Sequence, residues 1–328
     1  MIALFHKTIH RAIVLLSLTT VPIFAEDHLR MVLLQVPPAE STAIRSKLSG
    51  AAPEAIEEVL GKPGVEVVAD FKEENPWRPG TISLTKSAGM VNFDGEKPLE
   101  LEIRVEIEGK RKENGNISAR LSSDIMLPDG KKGFWQFHQP GILPDIHPGA
   151  WLECSLWGDS QKTTMLWLLA TSDEGGEEAA PTDDAKSDGG RVEMIWFRVE
   201  EGDLEMLAKS KPETRDKAFK WLSGRGETWN ECVFRYSIGN RVAWLASYGQ
   251  APASKDAAMR EDRLSIDGEP TRAGDGIAFK WDIYTAELKS EEEIHVEISS
   301  QVTPSIWEFT PIEGVAQANV VAWRCVAD

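Results

Sequence analysis

Two rhythms of apolar and polar residues run along this chain. Met31-Val32-Leu33-Leu34-Gln35-Val36 and Met194-Ile195-Trp196-Phe197-Arg198-Val199 are nearly unbroken apolar runs, each suited to a buried strand. Leu99, Leu101, Ile103, Val105 and Ile107 instead alternate with charged residues, and Ile277, Phe279, Trp281 and Ile283 alternate with mixed partners. Alternation of that kind predicts strands with one face buried and one solvated. Helical signals follow each buried run: Pro38 to Leu48 and Pro53 to Leu60, then Asp203 to Ala208 and Pro212 to Leu222. Gly61 and Gly224 stand where helix C-termini favour glycine. Further strands are expected at Val65 to Phe71 and at Glu231 to Tyr236. Others lead from Ile82-Ser83-Leu84 to Ser87-Ala88-Gly89 and from Val242-Ala243-Trp244 to Ser247-Tyr248-Gly249.

These signals recur in one order, which points to an internal duplication. Ile117 to Ser123 parallels Ile294 to Ser300, Trp135-Gln136-Phe137 parallels Trp307-Glu308-Phe309, and Ala150-Trp151 parallels Ala322-Trp323. This alignment places Cys154 and Cys325 at equivalent strand positions and leaves a polar insertion in the second copy from about Gln250 to Asp275. The first copy continues into a further strand, Thr163 to Ala170. The expected fold is α+β and sheet-dominated: two tandem, diverged copies of a β-α-α-β-β-β-β unit, over residues 26–170 and 191–328. Residues 171–190 hold seven acidic side chains, four glycines, one lysine and no large apolar residue. Such a segment buries too little surface to offset the entropy of ordering, so it is expected to be a flexible acidic linker. It lacks the ligand order of a Ca²⁺ loop.

The N-terminus changes the picture of where the protein works. Lys7 and Arg11, the apolar run Ala12 to Leu18 and the small residue Ala25 after Val21-Pro22-Ile23-Phe24 have the order of a secretory signal peptide, residues 1–25. The expectation is therefore an exported protein of the cell envelope, periplasmic or extracellular, with no integral membrane segment once the signal is cleaved. The formal net charge is −17, and loss of Lys7 and Arg11 takes it to −19. An acidic surface repels phosphate backbones, so nucleic acid is not an expected partner. The three cysteines, Cys154, Cys232 and Cys325, allow at most one internal bridge and read as small buried residues.

Candidate chemistry is sparse. The sequence contains no nucleophile elbow, zinc-protease helix, phosphate loop or Cys-x-x-Cys pair. One local set has metal-capable side chains: His138, Asp145, His147 and Cys154, in a stretch made irregular by Pro140, Pro144 and Pro148. Zn²⁺ accepts nitrogen, oxygen and sulfur ligands tetrahedrally. Set against that, the spacing matches no compact motif, and the second copy has Thr310, Gln317 and Asn319 at the aligned places, so no cofactor is expected. Trp135, Trp151, Trp157 and Trp167 cluster in the first copy. Exposed on a sheet face, Trp135, Trp151 and Trp157 would stack sugar rings, whereas Trp196, Trp244, Trp281 and Trp323 fall on the apolar phase and read as core.

The order of elements in each copy resembles the domain of bacterial secretins, the outer-membrane gates of type II and III secretion. The corresponding stretches are Ile56 to Ser87, Leu99 to Ser123 and Pro148 to Ala170, then Phe219 to Gly249, Ile277 to Ser300 and Val320 to Val326. The family's Pro-Arg, its Gly-Gly and its lipid-facing hairpin are missing, so the resemblance implies a soluble periplasmic relative rather than a pore. The expected function is that of a non-enzymatic envelope scaffold that binds other proteins or itself. A carbohydrate-binding module is the alternative on the tryptophans, and a hydrolase the alternative on carboxylates or the His138–Cys154 loop.

Overall fold

A computed structural model describes residues 27–327 except 75, 78–79, 92–97, 113–114, 130–132, 143–145, 159–160, 173–188, 210, 212–213, 226, 240, 251–259, 275, 287–292 and 312–319. The first sheet contains β1 (Asp27–Val36), β2 (Glu66–Glu74), β7 (Trp151–Gly158), β8 (Thr163–Ser172), β9 (Gly189–Arg198), β10 (Glu227–Ser237), β16 (Glu308–Pro311) and β17 (Val320–Ala327). Their spatial order is β16-β17-β9-β10-β7-β8-β1-β2. The second contains β3 (Ile82–Val91), β4 (Leu99–Arg111), β5 (Ile117–Asp129), β6 (Gly133–Ile142), β11 (Val242–Gln250), β12 (Arg260–Gly268), β13 (Thr271–Ala273), β14 (Gly276–Ala286) and β15 (Glu293–Val302). There β3-β4-β5-β6-β11-β12-β14 run in sequence order and β15 pairs the far side of β14. Short β13 continues the line of β12, because it meets Gly276–Ala278 of β14 where β12 meets Trp281–Ala286. Every one of these pairings is antiparallel.

The two hydrophobic rhythms separate the two sheets. Leu29, Met31 and Leu33 of β1 point into the core between the sheets. Val32, Leu34 and Val36 point the other way, under helices α1 (Pro38–Leu48) and α2 (Ala55–Leu60), where they meet Ile44, Leu48, Ile56 and Val59. A strand covered on both faces needs apolar residues at every position. In β9, Val192, Met194 and Trp196 face the inter-sheet core, while Ile195 and Phe197 face helices α3 (Glu201–Ala208) and α4 (Arg215–Arg225) through Leu207, Phe219 and Leu222. Among the described residues no helix covers the outer side of the second sheet, and β4 alternates buried Leu101, Ile103, Val105 and Ile107 with polar neighbours. The result is three layers: helices, helix-covered sheet, open sheet.

The halves expected as tandem domains share both sheets: β10 pairs β7 in one and β11 pairs β6 in the other. Each half also has more strands than the expected unit. Residues 260–268 and 271–273, read as polar insertion, are β12 and β13. One of the aligned aromatic signatures separates, because Trp135 and Phe137 lie in β6 of the open sheet whereas Phe309 lies in β16 of the other. Trp323 lies in β17, which flanks β9 as β8 flanks β1, so its position answers β8 rather than Trp151 in β7. Cys154 and Cys325 are therefore not equivalent, and both are free and buried. Helix α4 begins at Arg215 rather than Pro212 and runs through Gly224. Residues 171–172 and 189–190, assigned to the linker, are strand ends, and 173–188 lie outside the described residues, as does the signal segment.

Candidate functional site: the junction and the open edges

Where the halves meet, the ladder is short and specific. Glu231 to Phe234 of β10 pair with Gly158 to Ser155 of β7, and Leu245 to Gln250 of β11 pair with His138 to Gly133 of β6. Gly158 is required by packing: a Cβ there would come within 2.7 Å of the Thr163 hydroxyl and 2.8 Å of the Glu231 carboxylate. The Thr163 hydroxyl donates to that carboxylate at 3.0 Å.

Over this junction, on the helix side, lies a buried charge cluster. Arg45 of α1 donates to both oxygens of Glu153 at 2.6 and 3.0 Å and to Glu193 at 2.9 Å. Arg191 and Arg324 also donate to Glu193, at 3.0 and 2.8 Å. Arg324 in addition stacks over Trp307 at 4.6 Å. Arg235 donates to the Glu153 carbonyl at 2.5 Å. Glu153 and Glu193 are only 3% and 5% exposed. Burial alone would push the Glu193 carboxyl up, yet the guanidinium groups of Arg45, Arg324 and Arg191 hold it down at about 2. Burial raises the Glu231 carboxyl, opposed by the Thr163 hydroxyl. Because Arg45 and Glu153 belong to the first half and Glu193, Arg191 and Arg324 to the second, the cluster fastens one half to the other.

The residues proposed from sequence are dispersed. His138 lies on β6 opposite Leu245 and Asp124. His147 is exposed, its Nδ1 3.1 Å from the Asn116 side-chain oxygen. Asp145 lies outside the described residues. Cys154 is 1% exposed in the inter-sheet core, where burial pushes its thiol up to about 12. No group of three metal-capable side chains comes together among the described residues. Trp151 and Trp157 are 1% and 4% exposed, so their rings are core. Trp135 packs half-buried on Trp157 with centroids 4.4 Å apart, and the Trp151 indole donates to the Pro53 carbonyl at 3.0 Å. Trp196, Trp244 and Trp323 are buried as expected, and the side chain of Trp281 lies outside the described residues.

At the two ends of the sandwich the sheets stop in strands with one partner each among the described residues. One end shows β2 and β3, the other β16 and β15. The first end carries edge-guarding features: Glu66, Asp70, Lys72, Glu73 and Glu74 on β2, and Lys86 with an irregularity between Ser87 and Gly89 on β3. At the other end β16 closes on Pro311, while β15 presents ten residues of edge. No helix among the described residues is long and apolar enough to cross a membrane. Comparison with family models, with curated proteins and with solved structures finds no match.

Proposed function

We propose that the chain is a duplicated, exported envelope scaffold that binds protein through its sheet edges. The observation that carries this reading is strand order. The helix-covered sheet reads β16-β17-β9-β10 and then β7-β8-β1-β2, and the open sheet reads β3-β4-β5-β6 and then β11-β12-β14-β15. Matching β1 with β9 gives every later strand of the first half a counterpart, leaving only short β13, which continues β12, unmatched: β2 with β10, β3 with β11, β4 with β12, β5 with β14, β6 with β15, β7 with β16 and β8 with β17. Each unit is then a four-over-four sandwich with one helix pair. The inward positions support the match, since Met31 lies between Phe71 and Leu168, and Met194 between Cys232 and Trp323. Exposed strand edges offer backbone donors and acceptors to an incoming chain, the physical basis of strand addition.

Burial of Trp151 and Trp157 favours this reading over a sugar platform. The test is crosslinking in the producing cell, with a photoreactive residue at Val67 or Met90 on the first edge, which are 41% and 66% exposed, and at Met206 on α3 as control, 45% exposed. The expected result is discrete protein adducts from the edge positions in the envelope fraction, on chains that have lost residues 1–25. Edge positions no more reactive than Met206, or chains that keep residues 1–25, would overturn it.

A further inference from the structure

The internal junction defines which edges fit each other. Unit two presents β10 and β11 to β7 and β6 of unit one. Under the correspondence above, β10 and β11 answer β2 and β3, and β7 and β6 answer β16 and β15. The edges left without a second partner among the described residues, at the two ends of the molecule, are therefore the same complementary pair that closes at its centre. A contact between unlike patches of one chain does not satisfy itself, so it propagates until the rotation closes a ring or continues as a filament.

We propose that the chain associates head to tail with further copies of itself, β15 of one molecule pairing with β3 of the next and β16 lying against β2. This rests on the scaffold reading and names its partner as a second copy. Most of the ladder falls to the open sheet, as it does at the centre, where β11 and β6 share six residue pairs and β10 and β7 share four. The charges of β2 and the irregularity in β3 weaken the contact relative to the internal one. In place of Val233 and Phe234 at the internal junction, β2 brings Lys72 and Glu73 to the edge. Association is thus concentration-dependent. Each mature chain also carries a formal net charge of −19, the −17 of the full sequence less Lys7 and Arg11, so like-charge repulsion opposes growth and salt relieves it.

The test is sedimentation velocity of the full mature chain over a wide concentration range, at low salt and at about 0.5 M, where the Debye length falls below about 5 Å. The expected result is a mass that rises past two chains and rises further with salt. Two variants identify the edges: Val67→Lys with Met90→Lys at the first end, and Ser299→Lys with Gln301→Lys at the other. Each alone should associate at least tenfold more weakly, while an equimolar mixture should form dimers through the one intact pair of ends. The first variant changes exposed positions and retains the fold, which circular dichroism checks, so it decides the matter even if the second is unstable. A wild-type chain that stays monomeric in high salt, stops at two, or associates unaffected by Val67→Lys with Met90→Lys overturns head-to-tail assembly. Monomers that still crosslink to other envelope proteins would overturn this inference alone and leave the scaffold reading standing.

Discussion

Glu193 is the residue on which the two halves converge. It accepts from Arg45, Arg191 and Arg324 while 5% exposed, so removing its charge strands guanidinium groups in a poorly solvated place. Breaking a buried pair by deleting one partner costs roughly 3–5 kcal/mol, and Glu193→Gln is expected to lose that much in urea unfolding. The pH dependence has a definite sign. A carboxyl held at about 2, below its ordinary 4.5, stabilises the fold fully above 4.5 and loses that contribution as pH falls toward 2. Wild-type stability should therefore drop between pH 5 and pH 3 (a range set about the ordinary carboxylate value) by more than that of Glu193→Gln; equal slopes would mean the arginines do not hold the carboxylate. Gly158→Val should also destabilise, because its side chain would displace both Thr163 and Glu231. Part of this was readable beforehand: Glu153 and Glu193 are acids inside apolar strand runs, a pattern that asks for a buried partner. The partner was not readable, since Arg45 lies 108 and 148 residues away.

At the scale of elements, burial on one face or two decides what the sequence displays. Unbroken runs at β1 and β9 and alternation at β4 announced strands because each pattern follows directly from what covers the faces. Helix α1 was equally plain, running from Pro38 as expected and burying Ile44 and Leu48 on β1 and its neighbours. Leu48→Ala should cost about 2–5 kcal/mol in urea unfolding, and a loss well under 1 kcal/mol would show that the helix layer is not part of the cooperative core. Pairing order was not legible, because strand neighbours are chosen by contacts far apart in sequence. The polar composition of residues 250–275 hides β12, which lies between β11 and β14. Trp151 and Trp157 are core rather than platform for a related reason: a tryptophan's type is the same in both places, and only the covering layer distinguishes them.

At the scale of the molecule, two halves that share both sheets make a different object from two domains on a tether. Ten residue pairs of ladder cross the junction, six in the open sheet and four in the helix-covered one, and the Arg45–Glu193 contact crosses it as well. Unfolding either half alone would expose the β6 and β7 edges or the β10 and β11 edges, together with the inter-sheet core on both sides of them. Neither half can be lost without that cost, so the whole should melt as one cooperative unit despite its length, beyond the size at which domains commonly separate. Calorimetry at neutral pH should give one peak whose van't Hoff and calorimetric enthalpies agree. Two resolved peaks in the wild-type chain would mean that the shared ladder does not couple the halves. Glu193→Gln tests the coupling itself, because it removes the Arg45–Glu193 ion pair across the junction and leaves the backbone ladder in place. Its expected signature is a peak that broadens, with the van't Hoff enthalpy falling below the calorimetric one. A uniform shift to lower temperature with the ratio unchanged would instead show that the remaining contacts bind the halves and that the Arg45–Glu193 pair adds stability without cooperativity.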